Sequence, residues 1–465
     1  MHSRRDVSIG LAALTLTVAG VAACNVITGA SKYEVVDCVG VCDDSGEVDS
    51  TRVDAEADAA LLETADTLAP DALGDTASSE SAVPDTLVTE AADTASDAID
   101  PIDASDGGAT RVAVAVALGS THTCVALSDG TVQCWGSNEL GKLGDGTETG
   151  HSSPVLVSVP SSKGVALGDD HACALLATGG VACWGSGGVG EVGYTTTATC
   201  TSGGGSAVRC SKSPKTLVGP ADVVQLSANG QGTMALDKTG AFQYWGQVGV
   251  ISSTSPIVYS TTDVVTQVAV GGNHACYVTS GVAKCMGYNS YGELGRADLT
   301  SRDLQAVEGL AHTVKSIALG QDHGCALLDD GTVWCWGSNF VSQLGYASTG
   351  TCSGIPCSTT ATQVALSDKA IELALGSGHT CALLTSGLVQ CWGANNFGEL
   401  GNGGFVKSTT PINAAITKVA HIAAGGNHTC AIQTSGVLRC WGQNDKGQIG
   451  NGSTTDTAAP TVIAL

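Results

Sequence analysis

The chain has 465 residues, of which 62 are Gly, 14% are charged and 4% are aromatic. Gly is used about twice as often as is ordinary and charge well below the usual quarter, a balance that suits short Val- and Ala-rich strands joined by Gly turns. A formal net charge of −24 argues against nucleic acid as a partner, because holding a phosphate backbone depends on Lys and Arg displacing counterions.

Residues 1–23 read as a signal peptide and are left out of the fold. Arg4 and Arg5 precede an apolar run from Ile9 to Ala23, with small residues just before Cys24, which is the layout of an export signal. The closing V-A-A-C, Val21 to Cys24, resembles a bacterial lipobox, where cleavage falls before the Cys and its thiol is lipidated. That resemblance implies a lipid anchor on Cys24 and, with Asn25 following it, the outer membrane rather than the inner one. The protein is therefore expected to be exported and lipid-anchored to the bacterial outer membrane or cell surface. No other segment approaches the roughly 18 apolar residues that a membrane helix requires.

Residues 24–108 are expected to form a disordered, acidic tether. From Asp43 to Gly108 the chain is rich in Ala, Asp, Thr and Ser, holds about twenty of the 44 acidic residues and has Arg52 as its only basic one. Such a segment buries too little apolar surface to offset its ordering entropy, and its charges repel one another. The remainder is consequently only mildly acidic.

Residues 109–465 repeat themselves. Trp-Gly pairs fall at Trp135, Trp184, Trp245, Trp336, Trp392 and Trp441, and Met286-Gly287 stands in for a seventh. Seven copies average about 51 residues, the length of a four-stranded propeller blade. Each copy has a Val-rich strand ending in A-L-G or similar, a His-x-Cys-x-x-Leu strand, a tight turn such as S-D-G, and a V-x-Cys-Trp-Gly strand. Alternation across C-V-A-L and T-V-Q-C is that of strands packed between sheets. The fold class is all-β: a seven-bladed β-propeller of four-stranded antiparallel blades behind a disordered N-terminal tether.

The landmarks G-x-x-H-x-C-A-L, G-x-V-x-C-W-G and N-x-x-G-x-L-G resemble the regulator of chromosome condensation repeat, a family that forms seven-bladed propellers. The third motif stands at Asn138 to Gly144, Asn289 to Gly295, Asn339 to Gly345, Asn395 to Gly401 and Asn444 to Gly450. Two copies depart: the third has Gly232 in place of the His and lacks the third motif after Gln247, and the fourth has Met286 for Trp. Most copies begin with a short Pro-led strand such as Pro154 to Val157, and the first lacks one, so the C-terminal strand from Pro460 to Leu465 is expected to complete the first blade and close the ring.

Nineteen Cys less Cys24 leave an even number. Spacings of ten residues join Cys124 to Cys134, Cys173 to Cys183, Cys325 to Cys335, Cys381 to Cys391 and Cys430 to Cys440, with nine between Cys276 and Cys285. Across a tight hairpin this spacing sets the two Cβ atoms opposite each other, within reach of a disulfide. Cys38 with Cys42, Cys200 with Cys210, and Cys352 with Cys357 are the remaining local pairs, and the third copy has lost both thiols together, to Met234 and Tyr244. Zinc held by His122, Cys124 and Cys134 is the rival arrangement. An oxidising compartment favours crosslinks, so no metal is expected. The His then serves the structure, and the recurrent Trp packs between blades; Trp334 lies outside that position.

No catalytic grouping, phosphate loop or cofactor site is evident, and Glu191, Glu293 and Glu399, which recur before V-G or L-G, point to blade structure. Insertions carrying Cys200 with Cys210 and Cys352 with Cys357 are either recognition loops or stapled surface insertions. The chain is therefore expected to be a non-enzymatic envelope lipoprotein without a cofactor, presenting a propeller to a protein or envelope glycan. Secreted bacterial relatives of the repeat include a protein inhibitor of β-lactamases. Guanine nucleotide exchange, suggested by the family, and a carbohydrate-active envelope enzyme are the alternatives.

Overall fold

The computed structural model describes Arg111–Thr300 and Arg302–Leu465. The expected signal peptide, Cys24, the tether and the pair Cys38 with Cys42 lie outside those residues. Every described strand belongs to one of seven antiparallel sheets, each with four principal strands in chain order. In the first blade these are β1 (Ala113–Leu118), β2 (His122–Leu127), β3 (Val132–Gly136) and β4 (His151–Val157). The hairpin between β2 and β3 forms because Asp129 accepts a bond from the Thr131 amide at 2.9 Å while Gly130 takes φ +84°, a conformation costly for a side chain.

The second strand of each blade is buried on both faces, since blades stack face to face. The core is accordingly divided among the seams between neighbours. Side chains alternate along β2: Cys124 and Ala126 face the second blade and its Trp184, whereas Val125 and Leu127 face back towards Cys430 and Cys440 of the seventh. The arrangement recurs, so that the hairpin Cys pair of one blade packs beside the Trp of the next: Cys173 and Cys183 with Trp245, Cys276 and Cys285 with Trp336, Cys325 and Cys335 with Trp392, Cys381 and Cys391 with Trp441.

One seam differs, and the departures noted in the sequence are its two halves. The third blade has Met234 and Tyr244 where the Cys pair stands elsewhere, and the fourth has Met286 where the Trp stands. Aromatic rings fill the space: Phe242 stacks on Tyr259 at 5.0 Å and meets Tyr277 at 5.6 Å. Loss of the crosslink on one side and of the indole on the other is therefore one change in packing, not two distortions.

Ring closure corrects the sequence-based expectation. The last strand, β30 (Thr457–Val462), pairs with β29 (Leu438–Gly442) and completes the seventh blade, while β4 completes the first from its own sequence. Pro-led strands thus end the blades instead of beginning them. Closure comes from the loop after β29. Its Gly450 sits against the Trp135 ring so closely that a Cβ there would lie 2.5 Å from the indole nitrogen, and its Gln448 carbonyl accepts bonds from Trp135 Nε1 at 2.9 Å and Thr123 Oγ1 at 2.8 Å. The buried Ile463 adds to the same seam. The same hook joins other neighbours, as where Trp441 donates to the Glu399 carbonyl and Trp392 to that of Gln343.

Candidate recognition face

Because His122 pairs with Gly136, the start of β2 and the end of β3 lie on one side of the blade. Every first turn (such as Gly119 to Thr121) and every connection between third and fourth strands therefore opens on the same face of the ring. At the axis of that face the first strands enclose a cavity of about 210 Å³, with Ser120, Asp169, Asn229, Gln321 and Ser377 among its walls. Around it stand the variable connections. Phe340 on the fifth blade's loop and Phe405 and Val406 on the sixth's are 65%, 53% and 78% exposed.

The structure joins the sixteen described Cys in eight disulfides. Cys124–Cys134, Cys173–Cys183, Cys276–Cys285, Cys325–Cys335, Cys381–Cys391 and Cys430–Cys440 link directly opposed residues of the blade hairpins, with Cα atoms 4.1 Å apart. Cys200–Cys210 and Cys352–Cys357 close the two inserted hairpins, at 5.8 and 5.7 Å. These insertions lean on the preceding blade. Cys200 and Cys210 pack on Leu140, and the Thr201 amide donates to Glu148 at 2.9 Å. Ser353 Oγ donates to the Ser290 carbonyl at 2.9 Å. Both hairpins strap neighbouring blades together.

The recurrent His side chains are buried in the seams between blades. His171, His323, His379 and His428 each bond through Nε2 to a Thr hydroxyl of the next blade, Thr233, Thr380, Thr429 and Thr123, at 2.7 to 2.9 Å. Three of these hydroxyls donate onward to loop carbonyls of the His blade, so each accepts its proton from Nε2–H, which fixes the tautomer. His122 and His274 face Ala172 and Gly324 in the corresponding places, and their Nε2 atoms have no side-chain partner among the described residues. Burial holds the imidazoles down, to about 4 in His274 and His379 and about 3 in His323 and His428, so they stay neutral. The relay joins residues about 50 positions apart, beyond the reach of any hairpin spacing, and the missing His of the third blade and the missing Thr at Ala275 of the fourth are its trace in the sequence.

The recurring acids also serve the loops. Glu191, Glu293 and Glu399 accept from the amides of Val189, Tyr291 and Phe397, and Gln343 and Gln448 make the same contact with Val341 and Lys446. A role that an amide fills as well as a carboxylate is not acid–base chemistry. Burial pushes Glu293 up to about 7. Lys142 holds this position in the first blade and reaches Asp170 at 2.7 Å instead. Trp334 packs at the seam of the fourth and fifth blades and donates to Thr332. Among the described residues no group of three or more His, Cys, Asp or Glu could hold a metal, and no helix is long and apolar enough to cross a membrane.

Comparison with known proteins agrees with this geometry. The sequence matches the Regulator of chromosome condensation (RCC1) repeat at residues 113–142, 163–191, 314–343, 370–399 and 419–448, and a second description of that repeat at 129–175, 330–383 and 386–432. The stretch from 192 to 313, left between them, holds the two blades of the aromatic seam. Human E3 ubiquitin-protein ligase HERC2 is 30% identical over 210 residues, 41% of this chain and 4% of the ligase. The rat probable E3 ubiquitin-protein ligase HERC4 is 33% identical over 314 residues, 64% of this chain and 28% of the ligase. The Ultraviolet-B receptor UVR8 of Arabidopsis thaliana is 27% identical over 197 residues, 39% of this chain and 43% of the receptor. The chain thus spans less than half the length of these relatives. Yeast RCC1 (Prp20), solved bound to Kap60, superposes with a TM-score of 0.63 at 23% identity, covering 77% of this chain and 85% of that one. Human WBSCR16 gives 0.61 at 22%, covering 72% and 95%. Both likenesses show the shared fold. With seven blades in a ring, five of its seams hooked by the same bond from a Trp to the preceding blade's loop, this chain belongs to the regulator of chromosome condensation repeat family.

Proposed function

We propose that the protein is a non-enzymatic recognition module, exported and tethered to the cell envelope, that presents the loop-bearing face of its propeller to a protein partner. One observation carries the reading: the repeated Trp, His and hairpin Cys positions pack into the blade seams, and the connections that differ in length from blade to blade, with Phe340, Phe405 and Val406 exposed on them, open on a single face. Exposed aromatics on ordered loops are the usual anchors of protein interfaces. Eight disulfides among the described residues favour an oxidising compartment, and the N-terminal sequence with Cys24 supports export and lipid anchorage.

Capture of partners from envelope extract with the full chain, compared with a Phe340→Ala/Phe405→Ala variant, tests this. A protein retained by the first and lost by the second is expected; equal retention by both would refute the choice of face. Prp20p from Saccharomyces cerevisiae is described with its binding to Gsp1p and histones, which makes nucleotide exchange the second reading. A nucleotide-release assay with a small GTPase decides it. A glycan array and a hydrolysis assay do the same for envelope polysaccharide.

A further inference from the structure

We propose that the axial cavity receives the ammonium group of a lysine side chain on an extended arm of the partner, which enters across the third blade. This rests on the recognition-face reading and names the chemistry recognised at its centre.

The rim of that face is uneven. In the first, sixth and seventh blades residues 137–150, 394–407 and 443–456 connect the third strand to the fourth. In the third blade β12 (Phe242–Val248) turns directly into β13 (Ile251–Val258) through Gly249 and Val250. The buried Val248 fills the seam, where other blades place a loop Leu such as Leu143 or Leu400, so the ring stays sealed while its rim is stripped of a whole loop. The cavity wall includes the third blade's first strand from Gln225 to Asn229, on that same side.

The wall chemistry selects the ligand. Among the described residues no Lys, Arg or His lines the cavity, so a phosphate or carboxylate would meet no compensating charge from them. Its polar walls offer amides, hydroxyls and one carboxylate, that of Asp169. Asp169 lies against the third blade, its amide bonded to the Gly230 carbonyl at 2.8 Å. Burial and the adjacent Asp170 push its carboxyl pKa up, by more than the Lys142 charge holds it down. Lys142 is the nearby cation; its ammonium is engaged by the Asp170 carboxylate at 2.7 Å, Thr121 at 3.0 Å and the backbone carbonyl of Asp169 at 3.5 Å, and the Asp169 carboxylate is not among its bonded partners. A carboxylate left in a concave, amide-lined site with a cation held aside is complementary to an incoming ammonium.

The test uses the full chain and fluorescein-labelled Gly/Ser nonapeptides with one central lysine. The same peptides with acetyl-lysine and neutral oligosaccharides form the other arms, and anisotropy reports binding. Lysine peptides are expected to bind at least about tenfold tighter than their acetylated forms. Asp169→Asn, at unchanged melting temperature, should weaken them about 30-fold. Grafting residues 394–407 in place of Gly249–Val250 should weaken them as well. Equal binding of lysine and acetyl-lysine peptides would overturn the proposal, as would oligosaccharide binding insensitive to Asp169→Asn, or no detectable binding of any probe. A protein partner that tolerates Asp169→Asn but not Phe340→Ala/Phe405→Ala would discard the axial site and leave the recognition face standing.

Discussion

Lowering the pH from 7 to 5 should destabilise the propeller strongly, through the buried imidazoles at the blade seams. In the unfolded chain a His titrates near pH 6.5, whereas in the folded ring His274, His323, His379 and His428 titrate at about 3 to 4. Their folded pKa is depressed, so the unfolded state binds more protons between those values. Stability is complete above about pH 6.5 and falls as pH drops towards 3. At pH 5 the folded rings are still neutral, so the loss depends almost wholly on the unfolded value and comes to about 2 kcal/mol per His, or about 8 kcal/mol for the four. Glu293 acts in the opposite sense: its carboxyl, raised to about 7, takes up a proton in the folded state over this window and returns about 2 kcal/mol. A net loss of about 6 kcal/mol follows from these five groups; His122 and His171, whose pKa values burial also lowers, add to it, and Asp169, Asp322 and Glu399, whose pKa values burial raises, reduce it. Guanidinium denaturation with disulfides intact, at both pH values, should show a lower midpoint at pH 5. His323→Gln, which keeps a donor for Thr380, should shrink the difference by about 2 kcal/mol. Equal midpoints at the two pH values, or a pH dependence untouched by His323→Gln, would refute the assignment of neutral seam imidazoles.

Ala172→Thr should stabilise the protein by about 1 kcal/mol in the same assay, by giving His122 Nε2 the partner it lacks. Gly324→Thr, beside the equally unpartnered His274, should destabilise instead, because a Cβ there falls 2.8 Å from the Trp336 ring. Trp135→Ala should cost about 3 to 5 kcal/mol by emptying the closing seam, measured by thermal or chemical unfolding. Glu293→Gln should raise stability at pH 8, where the buried carboxyl is ionised, and do little at pH 5, where it is protonated; a gain at both would mean that charge is not the cause. Replacing Cys381 and Cys391 together by Ala should cost about 2 to 3 kcal/mol, and mass spectrometry of that variant should count one crosslink fewer.

What the sequence alone determined is local. The blade count, the S-D-G turns and the pairing of Cys124 with Cys134 all depend on residues about ten apart on one hairpin, where a period of two and a tight turn leave a single register. What only the tertiary structure decided lies between blades, where partners stand about 50 residues apart or at opposite ends of the chain. Thr123 meets His428 and Gln448, and no spacing rule connects them. Closure by a loop rather than by β30 and the aromatic seam that unites the departures of the third and fourth blades both follow from which faces meet when the ring is assembled. The axial cavity belongs to this second class, since its walls come from all seven blades and exist only once the sheets are set around a common axis.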